Sequence, residues 1–395
     1  MRRITALIIT VIIIISGVGT VCAGSSGEDI LVSKNVYGNY WTSIDGDKIV
    51  WLSKYDTYYE HPVYADADYR IIVHNITSGE EIQIPVFSCR PESPGISGRY
   101  VVWSDSVPGG STGYDIFYYD LESGITKAAT TEYGDQRYPA IAGDIIIWKE
   151  YFGPGRSMTR ISIYNISDES LSDFEFVSPK QTGSDTDGKK VIYSICNETS
   201  YSIYLYNIFW EEKTLLYEGS GSAGVSISGD NAGWIESICR GEASHYKLMF
   251  YNISSCETVT LNEGSIPMRS LEIDDHLAVY LYGSSGATYD KTGTSVYFYD
   301  LNTKEGGLLS DRDGNQRNPS VLDGRIVWED NYPENSGIYL RYYKTGPDAT
   351  GSSMNQSAVL SVSSGGNVET PGFGIVTVFM GFILINMICG YRIKK

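Results

Sequence analysis

Few residues in this chain have the types and spacing that chemistry demands. Only four histidines are present, His61, His74, His245 and His276, and they form no recognisable metal-binding cluster. HExxH, G-x-S-x-G and Gly-rich phosphate-loop patterns are all missing. Carboxylates are plentiful, 48 Asp and Glu in total. Two of them at the mouth of a cleft could perform the acid–base work of glycoside cleavage, but in so acidic a chain a suggestive pair arises by chance. Asp311-Arg-Asp313-Gly-Asn315 resembles the start of a calcium loop, with oxygen ligands at alternate positions. However, Leu322 stands where the twelve-residue loop carries its Glu. Asp66 and Asp68 offer similar oxygens. No cofactor is expected, and no metal is assigned.

The best binding candidates are polar residues in segments that link one structural unit to the next: Arg90 and Glu92, Gln136 and Arg137, Lys180 and Gln181, Gln316 and Arg317. Amides and guanidinium groups can hold sugar hydroxyls or carboxylates through directional hydrogen bonds. A competing role is structural. Gln-Arg-x-Pro occurs in two well-separated units, at Gln136–Pro139 and Gln316–Pro319, which favours stitching of adjacent units.

The elements that position these residues are repeats. One phrase reads apolar-x-Gly, a polar residue, a hydrophobic run, then an aromatic, first as Ile44-Asp-Gly46 to Trp51. It returns ending at Trp103, Trp148, Tyr193, Trp234, Tyr280 and Trp328. The sixth copy has Asp275 in place of Gly, and the seventh, from Leu322, is one residue shorter. A second phrase keeps step with it, alternating aliphatic and aromatic residues and ending in Asn or Asp. Examples are Ile72-Val-His74-Asn75 and Phe117-Tyr-Tyr119-Asp120. His74 takes the place of a Tyr in this phrase, which makes its role structural. Such a pattern is a strand entering a tight turn. Four short strands repeating every 41 to 52 residues predict propeller blades, with the Trp series packed between blades. The fold class is therefore all-β: a seven-bladed β-propeller of four-stranded blades over residues 24–345. Ile30 to Asn39 resembles Leu308 to Gln316, so the N-terminal strand is expected to close the last blade and cover its edge.

These units, most clearly Asp135-Gln136-Arg137-Tyr-Pro139 and Asn315-Gln316-Arg317-Asn-Pro319, resemble the TolB-like, WD40-like propeller repeats of archaeal surface proteins. That resemblance implies the fold strongly and function weakly, since propellers host binding, scaffolding and catalysis alike.

The two ends assign a compartment. Met1-Arg2-Arg3, an apolar run from Ile4 to Val21 and a small residue at Ala23 read as a signal peptide over residues 1–23, with an uncleaved anchor as the alternative. A Ser/Gly-rich stalk is expected over residues 346–370. Gly374 to Tyr391 is apolar enough for a transmembrane helix, and Arg392, Lys394 and Lys395 follow it. Pro371-Gly372-Phe373 before that helix resembles the archaeal PGF-CTERM sorting signal. The resemblance covers residues 371–395 and implies an archaeosortase-type processing enzyme that replaces the helix by a lipid, an ordinary membrane anchor being the alternative. Sequons at Asn75, Asn165, Asn197, Asn252 and Asn355 are glycosylation candidates on an exported chain. Cys89, Cys196, Cys239 and Cys256 allow three disulfide connectivities.

A net charge of −18 excludes a nucleic-acid partner, which would require a basic footprint. The leading expectation is a non-enzymatic, membrane-anchored surface or envelope protein whose propeller binds envelope glycan or another surface protein. The alternatives are an extracellular polysaccharide hydrolase or lyase with a channel-mouth active site, and a purely structural envelope component.

Overall fold

The structure is a computed structural model. It describes residues 27–343 apart from 36–37, 56–67, 89, 107–112, 154–157, 178–180, 197–199, 220, 222–223, 241–242, 284–292, 313–314 and 332–335. His61, Asp66, Lys180, Asn197, Asp313 and Asn355 therefore lie outside the described residues, as do Pro371, Gly372, Phe373 and the segments expected to form a signal peptide, a stalk and a C-terminal helix. Among the described residues, no helix is long and apolar enough to cross a membrane.

The described chain forms seven four-stranded antiparallel sheets, the blades of a propeller. The innermost strands, in chain order, are Asn39–Asp45, Glu92–Ser97, Asp135–Ala142, Gln181–Thr186, Val225–Ser228, Met268–Asp274 and Gln316–Leu322. Blades are numbered here by these strands. Each inner strand turns tightly into a second strand that carries the repeat aromatic, such as Lys48–Tyr55 in blade 1 and Ile145–Phe152 in blade 3. Left-handed backbone makes the turn possible, at φ 53° for Gly46 and 58° for Gly98. Asp275 takes the same conformation at φ 47° in blade 6. In blade 7 the turn is Asp323-Gly324, at φ 50° and 70°. The glycine has moved to the second turn position, so Val321 is the true counterpart of Ile44. The apparent one-residue deletion in the seventh copy is thus a shift of the glycine within a turn of unchanged length.

Trp51, Trp103, Trp148, Trp234 and Trp328 are at most 1% exposed, which makes the Trp series core. They pack between neighbouring blades. One cluster joins Val50, Leu52 and Ile71 of blade 1 to Ile96, Trp103 and Phe117 of blade 2. His74 belongs to the same fabric, its ring 6.3 Å from that of Trp51.

The N-terminal strand Ile30–Lys34 pairs antiparallel with Gly337–Tyr342 and is the outer strand of blade 7. Asp29, just before it, receives the Arg341 guanidinium (2.6 Å) and the Ser310 hydroxyl (2.6 Å). The ring is therefore closed by one strand from the start of the chain and three from its end.

Candidate functional site

The inner strands surround a central channel of about 900 Å³, within the size range of ligand sites. Its walls are shaped by a bulge. In blades 1, 2, 3, 6 and 7 the register slips within the inner strand. One residue there is left-handed: Trp41 (φ 53°), Ser93 (52°), Tyr138 (56°), Ser270 (50°) and Asn318 (43°). All five line the channel. A bulge bends the strand and re-aims a side chain, which brings this ring of residues to the lumen.

Just before the bulge, Glu92, Arg137, Arg269 and Arg317 hold the same register on blades 2, 3, 6 and 7. Two residues past it, towards the turn, the corresponding positions are Ser43, Gly95, Ala140, Asp185, Ser226, Glu272 and Ser320. The strand ends then carry Asp45, Asp187 and Asp274. The channel thus runs from a rim richer in arginine to an acidic turn side.

Blade 3 places a lysine at the channel wall. Lys149 follows Trp148 on the second strand, directly opposite Arg137, and lines the channel at 8% exposed. Burial pulls its ammonium group down to about 8, because low-dielectric surroundings disfavour the charged form. Its Nζ lies 5.5 Å from the ring centroid of Tyr138. Tyr151 also lines the channel, and its phenol is raised by burial and then by the charge of Tyr138.

A second cluster lies on blades 4 to 6. Asp185 accepts the Ile227 amide (2.9 Å), the Ser226 hydroxyl (3.1 Å) and the Thr186 amide (2.8 Å). Burial raises its carboxyl, and these donors act in the opposite direction. Glu272 is raised well above the ordinary range by burial and then by the charge of Asp185. Both carboxyls border the lumen, so water reaches them, yet packed strands surround them closely enough for desolvation to dominate. Asp185 holds three donors that favour its charged form, whereas burial and the charge of Asp185 both favour the neutral form of Glu272.

On blade 7, Glu329 follows Trp328 as Lys149 follows Trp148. It is fully buried. Burial raises its carboxyl to about 8 against the hydrogen bond from Asn318 (2.7 Å), the charge of Arg317 and the amides of Thr42 and Trp41. It therefore stays neutral at pH 7 and ties blade 7 to blade 1.

The sequence-predicted residues divide between two roles. Gln136 and Gln316 are fully buried. Gln316 Oε1 accepts the Val296 amide of blade 6 (2.6 Å). Gln136, with its amide nitrogen turned towards acceptors, donates to the Tyr114 carbonyl (2.7 Å) and Asp115 (3.1 Å) of blade 2. Arg137 bridges to Glu92 (2.5 Å) and stacks 3.7 Å from the Tyr114 ring centroid, again on blade 2. These four residues stitch blades together. Arg90 and Arg317 are exposed. Gln181 begins the inner strand of blade 4.

Sequence reasoning missed Lys149, Tyr138, Trp41, Asp185, Glu272 and Glu329. The signal was the departure from the repeat. The residue after each aromatic is Leu52, Ser104, Lys149, Ser194, Ile235, Leu281 and Glu329, so two copies place a charge where the others place apolar or small groups. Among the described residues, no group of three His, Cys, Asp or Glu side chains is arranged to hold a metal. Asn315, from the calcium-like segment, accepts the Thr294 hydroxyl (2.8 Å). Asn75, Asn165 and Asn252 cap turns: their side-chain oxygens accept the amides of Thr77 (2.9 Å), Ser167 (3.0 Å) and Ser255 (2.9 Å). Cys256 is exposed, and the side chains of Cys89, Cys196 and Cys239 lie outside the described residues.

No family model matches the sequence, and no curated protein matches it. Solved structures do. The β-propeller domain of the Trilobed protease from Pyrococcus furiosus is 12% identical, with a TM-score of 0.58, over 77% of this chain and 95% of that one. An oligogalacturonate lyase from Vibrio parahaemolyticus is 12% identical, with a TM-score of 0.55, over 79% and 92%. The acylaminoacyl peptidase of Pyrococcus horikoshii is 11% identical, with a TM-score of 0.57, over 74% of this chain and 49% of that one, so this chain spans about half the peptidase. TolB from Acinetobacter baumannii is also among the matches, at a TM-score of 0.41. At such identities the likeness establishes the fold. The matched propellers are nevertheless mostly those of lyases and peptidases. The expectation of a non-enzymatic surface protein is corrected on that ground. On its fold, the chain is a seven-bladed β-propeller.

Proposed function

We propose that the propeller is an extracellular polysaccharide lyase that cleaves a uronate-bearing chain at its channel mouth. Lys149 carries the reading: a buried lysine at the channel wall, with an ammonium lowered to about 8, is a base poised for neutral pH. In β-elimination the neutral amine of Lys149 takes the C5 proton of a uronate. The electron pair forms the C4–C5 double bond, and the C4–oxygen bond breaks. The departing oxygen receives a proton from Tyr151, whose phenol is held protonated by its surroundings, or from water. Arg90, Arg269 and Arg317 at the starts of the inner strands suit the carboxylates of such a chain. Oligogalacturonate lyases are matched over 92% and 95% of their own length, which lends the reading support. The signal-like residues 1–23 and the tail 371–395 suit a position outside the cell, held at the membrane.

A second reading, glycoside hydrolysis, is favoured by Asp185 and Glu272. Two carboxyl groups pushed apart in protonation by their settings supply an acid and a base or nucleophile.

The test uses the full-length protein with oligogalacturonate, other acidic polysaccharides and neutral ones. Lyase action releases unsaturated, ultraviolet-absorbing ends and is lost in Lys149→Met. Hydrolysis releases saturated reducing ends and is lost in Glu272→Gln. Cleavage of no polysaccharide would overturn both readings.

A further inference from the structure

Trp41 and Tyr138 occupy a position that the fold makes costly for them. The inner-strand bulge requires a left-handed residue, at φ 53° and 56° in these two blades. Blades 2, 6 and 7 meet that requirement with Ser93, Ser270 and Asn318. Serine is small, and Asn tolerates this conformation through local hydrogen bonding. Bulky aromatic residues at positive φ are true outliers, and such strain concentrates where a ligand is held. The fold itself does not need aromatics here, since three blades make the same bulge without one.

Their setting suits one task. Trp41 is half-buried, packed on the core shared by blades 1 and 2, and also borders the channel. Tyr138 is 46% exposed, borders the same channel, and has the Lys149 amine 5.5 Å from its ring centroid. Between the two, blade 2 lines the lumen with small or aliphatic residues, Ser93, Pro94, Gly95, Ile96 and Ser97. An aromatic ring supported from behind and open in front is a platform for the apolar face of a sugar ring.

We propose that Trp41 and Tyr138 are the sugar-stacking walls of a subsite across blade 2, which seats one pyranose ring beside Lys149. The proposal rests on the polysaccharide reading above and deepens it. The rings grip C–H faces, which neutral and acidic sugars share, so stacking fixes position while the charged rim selects among chains.

Blades 2, 6 and 7 supply the substitutions for the test. Trp41→Asn and Tyr138→Ser install residues that the bulge already accepts, so the fold is expected to be kept, with relief of the left-handed strain offsetting the packing that Trp41 loses on the core. Calorimetric titration of the full-length protein with oligogalacturonate, and with a neutral gluco-oligosaccharide of equal length, reads the affinity. Each substitution is expected to weaken binding of whichever oligosaccharide the wild type holds by about tenfold. Binding that survives in the wild type without any cleavage would sink the lyase reading and leave the subsite standing. Undiminished affinity in both variants, or no wild-type binding to either probe, would overturn the subsite.

Discussion

At the residue scale, two buried groups at equivalent positions bias the molecule in opposite directions, and both effects are measurable. Glu329 is raised from 4.5 to about 8 by burial. Across that window the native state holds a proton that the unfolded chain has lost, so this residue's contribution to stability falls as pH rises. Glu329→Gln keeps the shape, the Asn318 contact and a neutral group. It is expected to flatten the decline of the unfolding midpoint between pH 5 and about 8; an unchanged slope would show that Glu329 is ionised in the fold. Lys149 is lowered from 10.5 to about 8 by burial. Its native form is neutral over a range where the unfolded form is charged, so its contribution rises with pH in that window. For catalysis the neutral amine is the active form. The rate of lyase cleavage should therefore climb through pH about 8 and level off above it. Lys149→Met should lower kcat by about 10²- to 10⁴-fold, the usual worth of a general base. A variant that loses nothing, or a rate with no inflection near that pH, assigns the base elsewhere.

At the element scale, the blade was legible and the site within it was not, for one physical reason. A blade is built from constraints that recur: a left-handed turn at Gly46 and its counterparts, a buried aromatic at Trp51 and its counterparts, an Asn or Asp that caps the third-strand turn. Recurrence makes such constraints visible without coordinates. The site is built from departures, Lys149 for a serine or leucine and Trp41 for a serine, and each occurs once. Single departures in a divergent repeat look like noise until the bulge and the channel give them a common direction. Gln136 and Gln316 show the converse, since they recur because they stitch blades. The same logic bears on the sequons. Asn165 caps its turn through its side-chain oxygen, and Ser167 donates to Asp144 of the neighbouring turn. Asp120 and Asp300 cap the corresponding turns at 3.0 and 2.8 Å. Asn165→Asp should therefore leave stability nearly unchanged, while Asn165→Ala should cost about 1 kcal/mol. If denaturant unfolding finds the two variants equally impaired, the amide nitrogen rather than the oxygen matters. The aspartate variant also removes the acceptor atom for a glycan, so a loss of mass in protein purified from its native host would report its occupancy.

At the scale of the whole molecule, a ring of blades is as strong as its last seam. Six seams join blades that follow each other in sequence, and the seventh joins the start of the chain to its end. The strand Ile30–Lys34 is held to Gly337–Tyr342 by ladder hydrogen bonds, and beside it Asp29 and Arg341 form an ion pair with each partner less than one-tenth exposed. The Asp29 side chain also takes the Ser310 hydroxyl, and Arg341 donates to the Leu309 carbonyl, so one pair links three strands' ends. Removing one partner of such a pair leaves the other charge buried and uncompensated, which costs about 3–5 kcal/mol. Arg341→Met should accordingly lower the denaturant midpoint sharply. Asp29→Asn combined with Arg341→Met should recover part of that loss, because no unpaired charge remains. The channel depends on the seam through Glu329, which takes the amides of Trp41 and Thr42 across the junction of blades 7 and 1. Arg341→Met should thus weaken oligosaccharide binding at Trp41 before it unfolds the propeller, seen as affinity lost at denaturant concentrations where the far-ultraviolet spectrum is still native. If affinity and fold are lost together, the ring opens as one cooperative unit and the seam has no separate influence on the site.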